Sequence, residues 1–217
     1  MIEREPDLGT AAVILAIAAV MLFLGGVSKR SLVVGVLIGA LGVFFLVTLE
    51  PYRVERILHH SERWNVGMVD DLGYQTTQSE TAMAGGGFWG VGIGSGRAKH
   101  MLPAATTDFI LATIGEETGL LGALGVLAML GVLAWRLMHL GMRLSDRFGQ
   151  LVLFGTAAWL GVQSSVNVMM ANGTLPAIGI PLPLISSGGS SLIAIWGCLG
   201  ICQSLVRNQT KAQGRSV

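Results

Sequence analysis

Asp108 stands in "LPAATTDFILATIGEETGLLG", residues 102 to 122, where a polar stretch gives way to a long apolar run. A carboxylate at the mouth of an apolar helix can act as a general base if its neighbours hold it within reach of a reacting group. Thr106 or Thr107 is a natural N-cap for that helix, which would put Asp108 in the first turn. An acidic side chain there also complements the helix dipole, so a structural use stands beside the chemical one. At about 100° per residue, Ala112, Gly115, Gly119 and Gly122 share the face of Asp108. Such a stripe permits close helix approach and would fix the carboxylate rigidly. Glu116 and Glu117, two turns deeper, read as core partners of basic residues.

Cations lie near this carboxylate in sequence. Arg97 and Lys99 precede it, and Arg53 and Arg56 follow Glu50. Basic groups beside an outward carboxylate suit a diphosphate ligand, although loop charges are also commonly just solvated. The glycines of "FWGVGIGSG" have the spacing G-x-G-x-G-x-G, which is neither a dinucleotide fingerprint nor a Walker loop. They are expected to turn a short helix back near a membrane surface, with Phe88 and Trp89 as interfacial anchors. The His59-His60 pair lacks zinc-site spacing. Cys198 and Cys202, four apart in an apolar block, read as packing residues. "GIPLPLISSGGSS", residues 179 to 191, is uncharged, proline-stiffened and too irregular for a helical span. Pro181 and Pro183 would stiffen it, and Gly188 and Gly189 would let it bend back.

The elements that must position these groups are membrane helices. Hydrophobic residues make up 52% of the 217, charged residues only 12%, against about 25% charged in soluble domains. The apolar residues fall in five blocks: about 10–27, 32–49, 107–137, 151–170 and 192–206. The expected fold is all-α, a polytopic membrane domain over 1–217. It carries a large external loop at 50–106 and an external connection at 171–191. Lys29 and Arg30, then Arg136, Arg143 and Arg147, then Arg207, Lys211 and Arg215 fall in alternate connections. The positive-inside rule makes that side, and the C-terminus, cytoplasmic. The N-terminus then faces outward with no span before it, as though a front half were missing. A net charge of +1 without a Lys/Arg run gives no reason to expect nucleic acid, and the acidic start is not a signal peptide.

"EPDLGT", "EPYR", "GYQTTQS", "FWGVGIGSG", "LPAATTDFILATIGEETGL" and "GIPLPLISSGGSSL" occur in the order found in the SEDS family. The chain resembles these FtsW, RodA and SpoVE proteins over nearly its whole length, and its wording is closer to the FtsW and SpoVE branch. The resemblance implies the last five of about ten spans in a bacterial inner-membrane lipid II polymerase. Its working partners would be a class B penicillin-binding protein transpeptidase and other division proteins. It implies Asp108 as the catalytic carboxylate and a functional role for Glu50. Substrate contacts are expected from Arg53, Arg56, Gln78, Arg97 and Lys99, and from Pro181, Pro183, Gly188, Gly189 and Ser190 along the connection roofing the Asp108 cavity. No cofactor is expected; a divalent ion is an alternative to the basic residues at the departing diphosphate. Two departures are Thr106 and Ser187, where the family usually has His and Tyr. A lipid II flippase and a catalytically silent membrane partner are the rival readings. Spans one, two and four carry almost no charge, which favours a polymerase over a transporter.

The charge pattern generates a topology prediction. Reporters fused after Arg30, Arg147 or Val217 should read cytoplasmic, and one within 50–106 should read external. An external signal after Arg147 would refute the orientation.

Overall fold

The computed structural model describes residues 8–49, 60, 64 and 74–214, and the secondary structure among them is helical. Helix α1 spans Leu8–Leu24, α2 Lys29–Thr48, α3 Tyr74–Gly86, α4 Ala98–Met101, α5 Ile110–Arg143, α6 Arg147–Ala171 and α7 Gly189–Gly214. Three of them, at Ile110–Arg143, Arg147–Ala171 and Gly189–Lys211, are long and apolar enough to cross a membrane, while Gly9–Leu24 is a shorter apolar helix. On α2, Val33, Leu37, Ile38, Leu41 and Phe44 are all more than half exposed. Such a surface is costly in water and neutral in hydrocarbon.

Helices α5 and α6 form an antiparallel hairpin against which α1, α3 and α7 pack. Its turn is capped by Asp146, whose carboxylate accepts the Gly149 amide at 2.8 Å. Gln209 of α7 reaches the same turn, accepting from the Ser145 amide (2.9 Å) and donating to the Arg143 carbonyl (3.1 Å). The Arg147 guanidinium donates to the Leu24 carbonyl at the end of α1 (2.7 Å). Thus the end of α1, the α5–α6 turn and the C-terminal part of α7 meet at one end of the bundle.

The opposite end is irregular. Phe109, Leu102, Ala105, Met170 and Ile180 bury there with Val13 of α1 and Ala82 of α3. Helix α5 is broken: Gly119 sits at φ 72°, ψ −172° in the middle of it. The bonds lost at the break are replaced one for one by the glycine loop. The Leu120 and Leu121 amides donate to the carbonyls of Gly87 and Phe88 (2.8 and 3.4 Å) instead of to residues 116 and 117. The freed carbonyls of Glu116 and Glu117 accept from the Val91 and Gly92 amides (2.9 and 3.0 Å). A broken helix is tolerated at membrane depth when other backbone satisfies its polar groups. The loop must approach backbone to backbone, and a Cβ on Gly86 or Gly90 would collide with the carbonyls of Gly115 or Glu117. The expected stripe of small residues is therefore corrected. Ala112, Gly115 and Gly119 are buried, but the break interrupts the helical face they were to share.

Gly90→Ala should destabilise the fold by about 2–4 kcal/mol, through overpacking and loss of the exchanged bonds. Gly85→Ala, where a Cβ meets open space on α3, should change stability by less than about 1 kcal/mol. Denaturant unfolding in mixed micelles checks the pair; equal behaviour would refute the inserted-loop account.

Candidate functional site

The segment holding Asp108 is a tight turn, not the first turn of α5. Ala104, at φ 56°, gathers the amides of Thr107, Asp108 and Phe109 on its carbonyl (3.1, 3.1 and 3.2 Å). The helix begins at Ile110 with Phe109 in the N-cap position and without a side-chain cap. Neither Thr106 nor Thr107 caps it, which corrects the sequence expectation. The physical reason lies in three consecutive carbonyls. In a helix, those of Thr106, Thr107 and Asp108 would accept amides four residues on. Here other segments take each of them. The Ser187 amide donates to Thr106 O (2.9 Å), Ser186 Oγ to Thr107 O (2.5 Å) and Asn167 Nδ2 to Asp108 O (2.7 Å).

The donors come from α6 and from the proline connection, residues 172–188. That connection is itself pinned to α6: Asn167 Nδ2 also donates to Ile180 O (2.7 Å), and Gln163 Nε2 donates to Pro181 O (2.8 Å). Trp159 Nε1 in turn donates to Gln163 Oε1 (2.5 Å). Ser186 Oγ accepts the Leu182 amide (2.7 Å) while donating to Thr107 O, which links connection and turn through one buried hydroxyl. The chain takes left-handed conformations at Gly179 (φ 74°) and Leu184 (φ 63°). Gly188 and Gly189 have ordinary backbone and room for a Cβ, so the bend expected of them is made earlier in the connection.

Asp108 is half-buried in this frame. A Cβ built at Gly179 would lie 3.8 Å from Asp108 Oδ2, an ordinary contact distance, so the carboxylate stands beside the connection at that residue. Of the expected substrate residues, Pro183 is buried and Pro181 half-buried, while Gly189 and Ser190 are exposed at the start of α7. Pro181 and Ser190 line a cavity of about 760 Å³ between α1, α6 and α7, together with Ile17, Trp159 and Gln163. Asp108 does not line it; that cavity meets the connection at Ile180 and Pro181, and the carboxylate meets it at Gly179. Gln78 is half-buried on α3. Glu50, Arg53, Arg56 and His59 lie outside the described residues.

The acidic pair of α5 divides its work. Glu116 is buried and accepts the Arg97 and Ala98 amides with its two carboxylate oxygens (3.0 and 2.8 Å), anchoring the start of α4. It holds backbone rather than the expected basic partner. Glu117 does pair with a cation, Lys99, at 3.1 Å, and Lys99 Nζ also donates to Gly94 O. Lys99 is thus engaged in the loop, while Arg97 is exposed at the same corner. Cys202 is buried beside Thr156, and both cysteines are free thiols. No group of three His, Cys, Asp or Glu side chains comes together among the described residues. Gln163, Asn167 and Ser186 were missed as site residues. The spacing of Gln163 and Asn167, four apart in an apolar span, was the available signal, since polar residues there seek partners inside the protein.

Positions 1–211 match the family FtsW/RodA/SpoVE, described as cell cycle proteins. The probable peptidoglycan glycosyltransferase FtsW of Dichelobacter nodosus is 44% identical over 198 residues, covering 89% of this chain and 49% of that protein. A chain from a solved peptidoglycan synthase complex, studied for how polymerization and crosslinking are coordinated, is 34% identical with a TM-score of 0.75. The match covers 94% of this chain and 56% of that one. The rod shape determining protein RodA of Thermus thermophilus is 30% identical with a TM-score of 0.57, over 93% of this chain and 49% of that one. The chain spans about half the length of the curated relatives it matches.

Ser186→Ala removes the hydroxyl shared by Leu182 and Thr107, leaving a buried donor and a part-buried acceptor unpaired. It should destabilise by about 1–3 kcal/mol. Gly188→Ala should cost less than about 1 kcal/mol, since the position has ordinary backbone and space. Thermal and denaturant unfolding in micelles would show the ordering; a neutral Ser186→Ala would refute the linkage.

Proposed function

The chain belongs to the FtsW/RodA/SpoVE family, and from that premise we propose that it carries the catalytic base of a peptidoglycan glycosyltransferase, with Asp108 as that base. The observation that carries the reading is the clamped turn. Three successive carbonyls ending at Asp108 are held by α6 and the proline connection, and the carboxylate stays partly open to its surroundings. A base must be held in place and still reach its proton, and this arrangement meets both demands.

In the proposed reaction, a sugar hydroxyl of one lipid-linked disaccharide attacks the anomeric carbon of another. The new C–O bond forms as the bond to undecaprenyl diphosphate breaks, and the bonding pair leaves with the diphosphate. The hydroxyl proton passes to Asp108. A single displacement inverts the donor from α to β. Diphosphate is already a good leaving group, so the second carboxyl that glycoside hydrolysis employs is not needed. Arg97, exposed where the loop meets α4, is the described cation best placed in sequence and exposure to meet a diphosphate. Arg53 and Arg56 are candidates for the same role. Lys99 serves mainly to hold Glu117 and the loop. In the whole protein, five spans of this chain would lie in the inner membrane with residues 50–106 external and the C-terminus cytoplasmic. A transpeptidase would be the working partner, as suits a relative found in a synthase complex.

The test grafts this chain into the D. nodosus relative in place of the segment it matches, and follows labelled lipid II on a sizing gel. The graft should polymerise, and the 217-residue chain alone should not. Asp108→Asn in the graft should lower polymerisation by about 10²–10⁴-fold with lipid II binding retained. Undiminished polymer from the Asn variant would remove Asp108 as the base. Lipid II transport across vesicles without polymer from the graft would favour the transporter reading instead.

A further inference from the structure

We infer that Asn167 is a positioning residue for Asp108, setting where the carboxylate stands relative to the wall formed by the proline connection. This rests on the reading of Asp108 as the base. Asn167 lies on α6 with 0% of its surface exposed. Its amide nitrogen has two hydrogens, and the two go to different segments: one to the carbonyl of Asp108 and one to the carbonyl of Ile180, each at 2.7 Å. The first carbonyl belongs to the proposed base itself. The second is one residue from Gly179, the position that lies against Asp108 Oδ2. One side chain on a rigid helix therefore spans both sides of the carboxylate's seat. The orientation of the amide follows from chemistry, because the reverse flip would set its oxygen against two carbonyl oxygens. Asn167 Oδ1 is buried without a hydrogen-bond partner. Retaining a polar side chain there is unfavourable for its oxygen, and it is the two donors that make the residue useful.

A staple that only strengthens the fold predicts a different phenotype from one that sets a reacting distance. Ser79 supplies the comparison. It is equally buried and ties α3 to the end of α6 through the Ala171 carbonyl at 2.8 Å, yet no bond it makes reaches Asp108 or the connection. In the grafted full-length protein, Asn167→Leu, Asn167→Ser, Ser79→Ala and Asp108→Asn would be compared for thermal midpoint, kcat and KM with lipid II. Asn167→Leu should lower kcat about ten- to a hundredfold with KM changed less than about threefold, because a small misplacement of a reacting group acts on the chemical step. Asn167→Ser, which keeps a single shorter donor, should lose kcat in the same sense and decides the matter if the Leu variant does not fold. Ser79→Ala should lose thermal stability with kcat within about threefold of the parent. Asn167 variants whose kcat tracks their stability along the same line as Ser79→Ala would overturn the inference. If Asp108→Asn is inactive and the Asn167 variants retain kcat, the positioning role fails alone. If Asp108→Asn retains full activity, the base assignment fails, and with it any positioning of a base.

Discussion

Three carbonyls in a row, those of Thr106, Thr107 and Asp108, are withheld from α5 and bound by other segments of the chain. Most of the irregular end of the molecule follows from that. Hydrocarbon supplies no hydrogen bonds, so backbone groups released from a helix must find protein partners. Here the partners are a backbone amide, a buried serine hydroxyl and a buried asparagine amide. Each belongs to a segment that must then sit against the turn. The proline connection is fixed in place by the same bonds that hold Asp108, and neither could shift without leaving the other unsatisfied.

The same logic appears a second time within α5. At Gly119 the helix gives up its bonds and the glycine loop restores them, amide for carbonyl on both sides. The loop lies so close that glycine is required where its backbone meets that of α5. Glu116 and Glu117 then tie the far side of the loop, one through the amides that open α4 and one through Lys99. The two breaks in regular structure lie on either side of the short helical segment 110–118. Asp108 is carried just ahead of it, and the helix hairpin behind it gives a rigid base.

Much of this was legible in the sequence, for reasons that differ from residue to residue. The three long spans declared themselves through uncharged runs that only hydrocarbon tolerates. The gathering of Arg143, Arg147 and Gln209 with the end of α1 agrees with the alternating charge pattern. Asp108 stood out because a carboxylate beside a long apolar run needs a reason. The start of α5 was misplaced because threonine before an apolar run is the local signal for a cap. The competing partners, Ser186, Ser187 and Asn167, lie at least 59 residues away in the chain. Local sequence does not encode such competition. The break at Gly119 was hidden for the same reason: the run "TGLLGALG" is apolar enough to read as uninterrupted helix, and the loop that replaces its bonds is more than 20 residues upstream. The glycines of that loop read as a turn near the membrane surface, and their use as a backbone contact surface had no local signature. Gly188 and Gly189 drew attention through composition, whereas the turning is done by Gly179 and, against residue preference, by Leu184.

The clamp is most directly tested by site-resolved amide hydrogen exchange in lipid nanodiscs. Ser187 is exposed as a residue, yet its amide is bonded to the Thr106 carbonyl. Its neighbours at the opening of α7, Gly189 and Ser190, stand where helix amides have no partner within the helix. A Ser187 amide protected well beyond those of Gly189 and Ser190 is the expected result. Exchange of Ser187 as fast as theirs would contradict the clamp, and with it the fixed seat of Asp108.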